Sequence, residues 1–140
     1  MDVDFSRWRG DEDELPGGGL LINDAYNANP VSVRAALEDL VERAEGRQTV
    51  AVLGEMAELG PDAPRYHEEI GLVAENLGVD VVIGIGELAR SYGPTAWYVD
   101  AGAAAADAPD LVAPGDCVLV KGSRAAGLEI VAEALAAVNA

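Results

Sequence analysis

Short apolar runs alternate with stretches of helical period along most of this 140-residue chain, and that alternation constrains the fold more than any other feature. Leu20-Leu21-Ile22, Thr49 to Leu53, Val79 to Ile85, Trp97-Tyr98-Val99 and Cys117 to Val120 read as five strands. They are continuously apolar rather than alternating, as strands are when helices cover both faces of a sheet. After the first run, Val33, Ala36, Leu37, Leu40, Val41 and Ala44 recur at the helical period. Asn29 suits the cap of that helix, Pro30 its first position, and Gly46 ends it. A second helix opens at Pro64, carries Tyr66, Ile70, Val73, Ala74 and Leu77 on one side, and closes at Gly78. A short helix from Glu87 to Tyr92 stops at Gly93-Pro94. A small-residue helix follows from Ala101 to Val112, and Leu128, Val131, Ala132, Leu135 and Val138 mark the last. Strand and helix in strict turn imply βαβ units. The expected fold is a three-layer, Rossmann-like α/β domain with a mainly parallel sheet over residues 20–140. Residues 1–19, polar, acidic and ending in glycines, read as an irregular lead-in or linker.

Charge narrows the partners. Nine basic residues against 25 acidic ones give a net charge of −16. That argues against a nucleic-acid backbone as main partner, because phosphates need a basic face. It argues equally against an anionic membrane surface. Cys117 is the only cysteine, so neither a disulfide within the chain nor a cysteine-based zinc site is available. Its apolar neighbours read as the setting of a buried, inert thiol. No apolar stretch approaches 18 residues and the amino terminus has no apolar signal region, so a cytoplasmic protein is expected. His67 is the only histidine. It lacks a partner for a His-Glu-x-x-His site, since residue 71 is Gly, and reads as structural. No metal site is expected.

Open parallel sheets bind ligands beyond the carboxyl ends of their strands. Here that rim carries Asn23-Asp24, Gly54-Glu55, Gly84 to Glu87, Asp100 and Lys121-Gly122-Ser123-Arg124. Asp24 is placed to accept from a ribose, or to bond its own backbone in a turn. Asn29 reads first as a helix cap. Asn27 has no helix role and is the better ligand candidate. Tyr26 suits stacking or a hydrogen bond to a ligand, or half-buried packing. Lys121 to Arg124 sets two cations on a strand-to-helix turn, with Ser123 available as cap. That reads as an anion site, or as a capped helix with solvent-facing charges. Gly84-Ile85-Gly86-Glu87-Leu88-Ala89 matches G-x-G-x-x-A, which would make the chain a stand-alone dinucleotide-binding module. The match is off the first strand and its helix is short. The chain has no G-x-x-x-x-G-K-[ST] phosphate loop and no nucleophile elbow.

Four segments in order carry a resemblance: Asn23-Asp24-Ala25-Tyr26-Asn27-Ala28-Asn29-Pro30 and on to Leu37, Ala51-Val52-Leu53-Gly54-Glu55-Met56-Ala57-Glu58-Leu59-Gly60, His67-Glu68-Glu69-Ile70-Gly71, and Val118-Leu119-Val120-Lys121-Gly122-Ser123-Arg124-Ala125-Ala126-Gly127-Leu128-Glu129. The chain resembles the carboxyl-terminal domain of the Mur ligase family, in its D-alanyl-D-alanine-adding branch, from about Ser6 to its end. The resemblance implies an ATP-dependent amide ligase of peptidoglycan synthesis. In that reaction the carboxylate of UDP-N-acetylmuramoyl-tripeptide is phosphorylated, and the amine of D-alanyl-D-alanine displaces phosphate. It further implies three domains, of which the first binds the UDP-sugar, the second holds the phosphate loop and Mg2+, and the third closes over ATP and helps position the dipeptide. By resemblance, Arg7, Asp24, Tyr26, Asn27 and Asn29 line the nucleotide, while Lys121, Ser123 and Arg124 lie toward the dipeptide. The chain departs from many relatives at Asn23, where they have an acid. Lacking the other two domains, it is expected to be inactive alone and to hold neither ATP nor Mg2+ tightly. A noncatalytic interaction domain is the remaining alternative.

Overall fold

The computed structural model describes residues 11–25 and 27–137. Arg7, Tyr26 and Val138, named above, lie outside them. The strands are β1 (Asp11–Leu15), β2 (Gly19–Asp24), β3 (Thr49–Gly54), β4 (Val81–Ile85), β5 (Ala96–Tyr98) and β6 (Cys117–Lys121). The helices are α1 (Pro30–Ala44), α2 (Ala63–Leu77), α3 (Ala101–Ala106), α4 (Ala108–Leu111) and α5 (Glu129–Ala137). Leu88–Tyr92 and Arg124–Ala126 form 3-10 turns.

The six strands form one sheet in the order β1-β2-β6-β3-β4-β5. All neighbours from β2 to β5 run parallel, and only β1 is antiparallel. After β2 the chain leaves a gap, lays down β3, β4 and β5 outward, and returns to fill the gap with β6. The reversal falls at β2, β6 and β3, where such sheets form their crevice.

Helices α1 and α2 cover one face over Ile22, Ala51, Leu53, Cys117 and Leu119. Helices α3, α4 and α5 cover the other over Leu21, Val50, Val52, Val118 and Val120. Neighbouring residues of β3 and β6 thus enter opposite cores, and every residue of these strands is buried. That is why their sequences carry no polar alternation.

Three local expectations need correction. Residues 11–15, read as irregular, are a strand registered on β2 from Asp11 opposite Asn23 to Leu15 opposite Gly19. An edge strand tolerates charge. Glu12 pairs with Arg43 of α1, and Arg47 donates to the Gly18 carbonyl at 3.0 Å, so the hairpin is tied to the end of α1. The expected helix from Ala101 to Val112 is two helices broken at Asp107, with Pro109 in the first turn of α4. The expected helix after β4 is a 3-10 turn.

Candidate functional site

The parallel register sets Asp24 of β2 beside Lys121 of β6. Ile22 and Leu119, two residues earlier, face α1, and side chains two apart share a face. Asp24 and Lys121 therefore meet beneath the start of α1. Lys121 Nζ donates to Asp24 Oδ2 at 2.7 Å and to the Asn27 carbonyl at 2.9 Å. The Lys121 side chain is 4% exposed and that of Asp24 15%. A buried ammonium is tolerable only when paired, and here carboxylate and carbonyl together pair it. Lys121 is therefore enclosed rather than presented at the rim. Asp24 Oδ1 has no hydrogen bond among the described residues, and the side chain is partly exposed.

The loop into α1 is built from asparagines. Asn27 is exposed, and its Oδ1 accepts from the Ala28 amide at 2.9 Å. Asn29 Oδ1 accepts from the Ser32 amide at 2.9 Å, and Ser32 Oγ accepts from the Asn29 amide at 3.0 Å. This reciprocal capping box fixes where α1 begins. The Asn29 carbonyl oxygen is thereby committed to the helix.

On the neighbouring strand end, the Ser123 amide donates to the Glu55 carbonyl at 3.0 Å. Ser123 is buried and makes no side-chain cap, contrary to the expectation, because a 3-10 turn separates it from α5. Arg124 stands exposed on that turn and pairs with no acid among the described residues. The strand end at Gly122 is closely packed. A Cβ on Gly122 would lie 2.8 Å from Leu128 Cδ1 and 3.2 Å from Gly54 Cα.

The glycine turn after β4 is closed by the protein itself. Glu55 Oε2 accepts from the Leu88 amide at 2.8 Å, where a dinucleotide module would present amides to a pyrophosphate. Trp97 Nε1 donates to the Gly86 carbonyl at 2.7 Å. Gly84 to Ala89 is thus a structural joint. Glu55 stood on the predicted rim, but nothing local signalled its partner 33 residues away. Asp100 caps α3, accepting from the Ala103 amide at 2.8 Å.

His67 is fully buried, as its apolar setting suggested. Its Nε2 accepts from the Met56 amide at 3.0 Å, so the proton sits on Nδ1, which donates to the Ala63 carbonyl at 2.7 Å. Its ring packs on Tyr92, whose hydroxyl donates to the Gly54 carbonyl at 2.8 Å. Among the described residues no three His, Cys, Asp or Glu side chains converge as a metal site. No described helix is long and apolar enough to cross a membrane.

Residues 12–124 match the family described as Mur ligase, glutamate ligase domain. The chain belongs to the Mur ligase family. This Mur ligase domain is 43% identical over 148 residues to the UDP-N-acetylmuramoyl-tripeptide–D-alanyl-D-alanine ligase of Mycobacterium tuberculosis, covering 86% of the chain and 29% of that relative. Against the ligase of the same name from Escherichia coli it is 35% identical, covering 87% and 28%. MurF from Thermotoga maritima, solved in complex with ADP, superposes with a TM-score of 0.77 at 30% identity, covering 91% of this chain and 30% of that one. MurF from Acinetobacter baumannii superposes at 0.80 with 25% identity, covering 92% and 30%. The Mur ligase domain described here thus spans less than a third of the length of these relatives.

Proposed function

We propose that this Mur ligase domain serves an ATP-dependent cytoplasmic ligase that joins D-alanyl-D-alanine to UDP-N-acetylmuramoyl-tripeptide in peptidoglycan synthesis. The observation that carries the reading is the Asp24–Lys121 pair at the sheet's reversal point. Lys121 holds one carboxylate oxygen of Asp24, and the other has no partner among the described residues and can accept from ribose hydroxyls. Lys121 then acts on the nucleotide side, as the residue that positions Asp24, rather than as a dipeptide contact. Asn27 and the side-chain nitrogen of the exposed Asn29 border the same edge, and Arg7 and Tyr26 join it by resemblance. Arg124 offers its guanidinium to the free carboxylate of the dipeptide, with Ser123 shaping the turn. The donor set fits a ribose, but it does not fit Mg2+ or the phosphates. The metal and the phosphate loop then belong to the central domain of the complete ligase, and the UDP-sugar site to its amino-terminal domain. ATP there supplies the phosphoryl group that activates the tripeptide carboxylate.

Amide-resolved NMR titration of the chain with ATP, D-alanyl-D-alanine and NADH tests this. ATP is expected to shift the amides of Asp24 to Asn29, and Asp24→Ala to abolish those shifts. D-alanyl-D-alanine is expected to shift Ser123 and Arg124. Saturable NADH shifts at Gly84 to Ala89 would favour a dinucleotide module instead. Silence toward ATP and dipeptide at millimolar concentration would leave a noncatalytic interaction domain.

A further inference from the structure

The ring of His67 and the Ser123 turn do not touch, yet they share one peptide group. The Met56 amide, which donates to His67 Nε2 at 3.0 Å, and the Glu55 carbonyl, which accepts from the Ser123 amide at 3.0 Å, are the two ends of the Glu55–Met56 peptide. A peptide group is planar, so fixing the direction of its N–H fixes the direction of its C=O. We infer that His67 is a positioning residue of the candidate site: by orienting the Glu55–Met56 plane it sets where the Ser123–Arg124 turn stands. The dipeptide consequence rests on the function proposed above; the structural relay does not.

Both sides of that plane are built to keep it still. Upstream, Tyr92 Oη holds the Gly54 carbonyl at 2.8 Å, and Glu55 Oε2 is anchored on the Leu88 amide. Downstream, the loop passes through Glu58 at φ 60°, a left-handed conformation unfavourable for a residue with a side chain. A loop holding such strain relaxes when an anchor is lost, and His67 anchors it two residues before Glu58, at the Met56 amide. Hydrogen bonds at the two ends of one amide also polarise each other, so the His67 acceptor strengthens the carbonyl that Ser123 uses. His67 thereby acquires a role that a purely space-filling ring would not have. The acceptor atom matters, not the volume.

The test compares His67→Leu, which keeps bulk and loses the acceptor, with His67→Gln, whose Oε1 can take the place of Nε2. Hydrogen exchange by NMR on the ligand-free chain reads each amide separately. In His67→Leu the Met56 and Ser123 amides are expected to lose about tenfold or more of their protection. Val118 and Leu119, in the middle of β6, are expected to change far less. His67→Gln is expected to hold Ser123 within about threefold of the parent. Equal loss at Ser123 and at Val118 would reduce His67 to general stability and overturn the inference. So would unchanged Ser123 protection in His67→Leu. Failure of Gln to restore Ser123 protection would likewise overturn the role of the acceptor. Titration with D-alanyl-D-alanine then separates the two claims. A weakened Arg124 response in His67→Leu alone supports both. No response in any variant, with the exchange pattern as expected, sinks the dipeptide assignment and leaves the relay standing.

Discussion

At the scale of single residues, the site is decided by how two charges are hidden. Lys121 has an almost wholly enclosed side chain, and its ammonium has Asp24 and a carbonyl as partners. Removing one member of a buried pair leaves the other uncompensated, which costs more than the pair itself contributes. Lys121→Met is therefore expected to lower stability by about 3 kcal/mol in urea unfolding. Adding Asp24→Asn should recover part of that loss, with a coupling of roughly 1–3 kcal/mol. Additive losses would show that the pair does not exist in solution. Titration gives a second residue-scale prediction. Burial pushes the Cys117 thiol up, and burial and then Glu55 push the Tyr92 hydroxyl up. A raised folded-state pKa adds stability that is complete below the unfolded pKa and is lost as pH rises from there through the folded one. Unfolded thiols ionise near about 8.5 and tyrosines near about 10. Stability should thus fall from about pH 8.5 upward, and more steeply above about 10. Cys117→Ala should flatten the first part of the decline and leave the second.

Elements explain what could and could not be read in advance. The five parallel strands and the larger helices were legible because each carries a continuous apolar run or a regular stripe, although β5 is only half-buried. Asn29 and Pro30 announced the start of α1, and the capping box places it there. Strand β1 was not legible: Asp11-Glu12-Asp13-Glu14 has no apolar face, and only pairing with β2 makes it a strand. The Lys121–Asp24 contact was equally hidden, for it spans 97 residues and depends on β6 entering between β2 and β3. Apolar runs mark strands without giving their order. Helix packing supplies the prediction at this scale. Gly71 lies mid-helix in α2, where alanine normally adds about 1 kcal/mol. Here a Cβ would sit 2.1 Å from the Tyr92 carbonyl oxygen, a backbone atom. Gly71→Ala is accordingly expected to destabilise by about 1–3 kcal/mol, the reverse of the usual sign. A gain in the unfolding midpoint would mean that the Leu88–Tyr92 turn is free to retreat.

For the whole molecule, the net charge of −16 sets a general response. Self-repulsion at this charge opposes compactness, and salt screens it. The exposed helix pairs Arg34–Glu38 and Arg65–Glu69 contribute little, so their screening should not offset the gain. The melting temperature is expected to rise by roughly 2–6 °C between low salt and a few tenths molar sodium chloride. A fall would show that attractive pairs outweigh the acid excess. The last prediction concerns activity and follows from how the parts are divided. On the proposed reading the sheet reversal supplies a carboxylate for a ribose, and the Arg124 turn a cation for a dipeptide carboxylate, but phosphoryl transfer needs a phosphate cradle and a metal held in line. The sequence contains no phosphate loop, and the described residues contain no metal cluster. One wall of a divided site also binds weakly, because the facing domain makes the rest of the contacts. The purified 140 residues, given ATP, Mg2+, UDP-N-acetylmuramoyl-tripeptide and D-alanyl-D-alanine, are therefore expected to release no phosphate above the blank. Dipeptide-dependent release by the chain alone would require a phosphoryl-transfer site that this sheet rim does not form, and would overturn the division of labour proposed here.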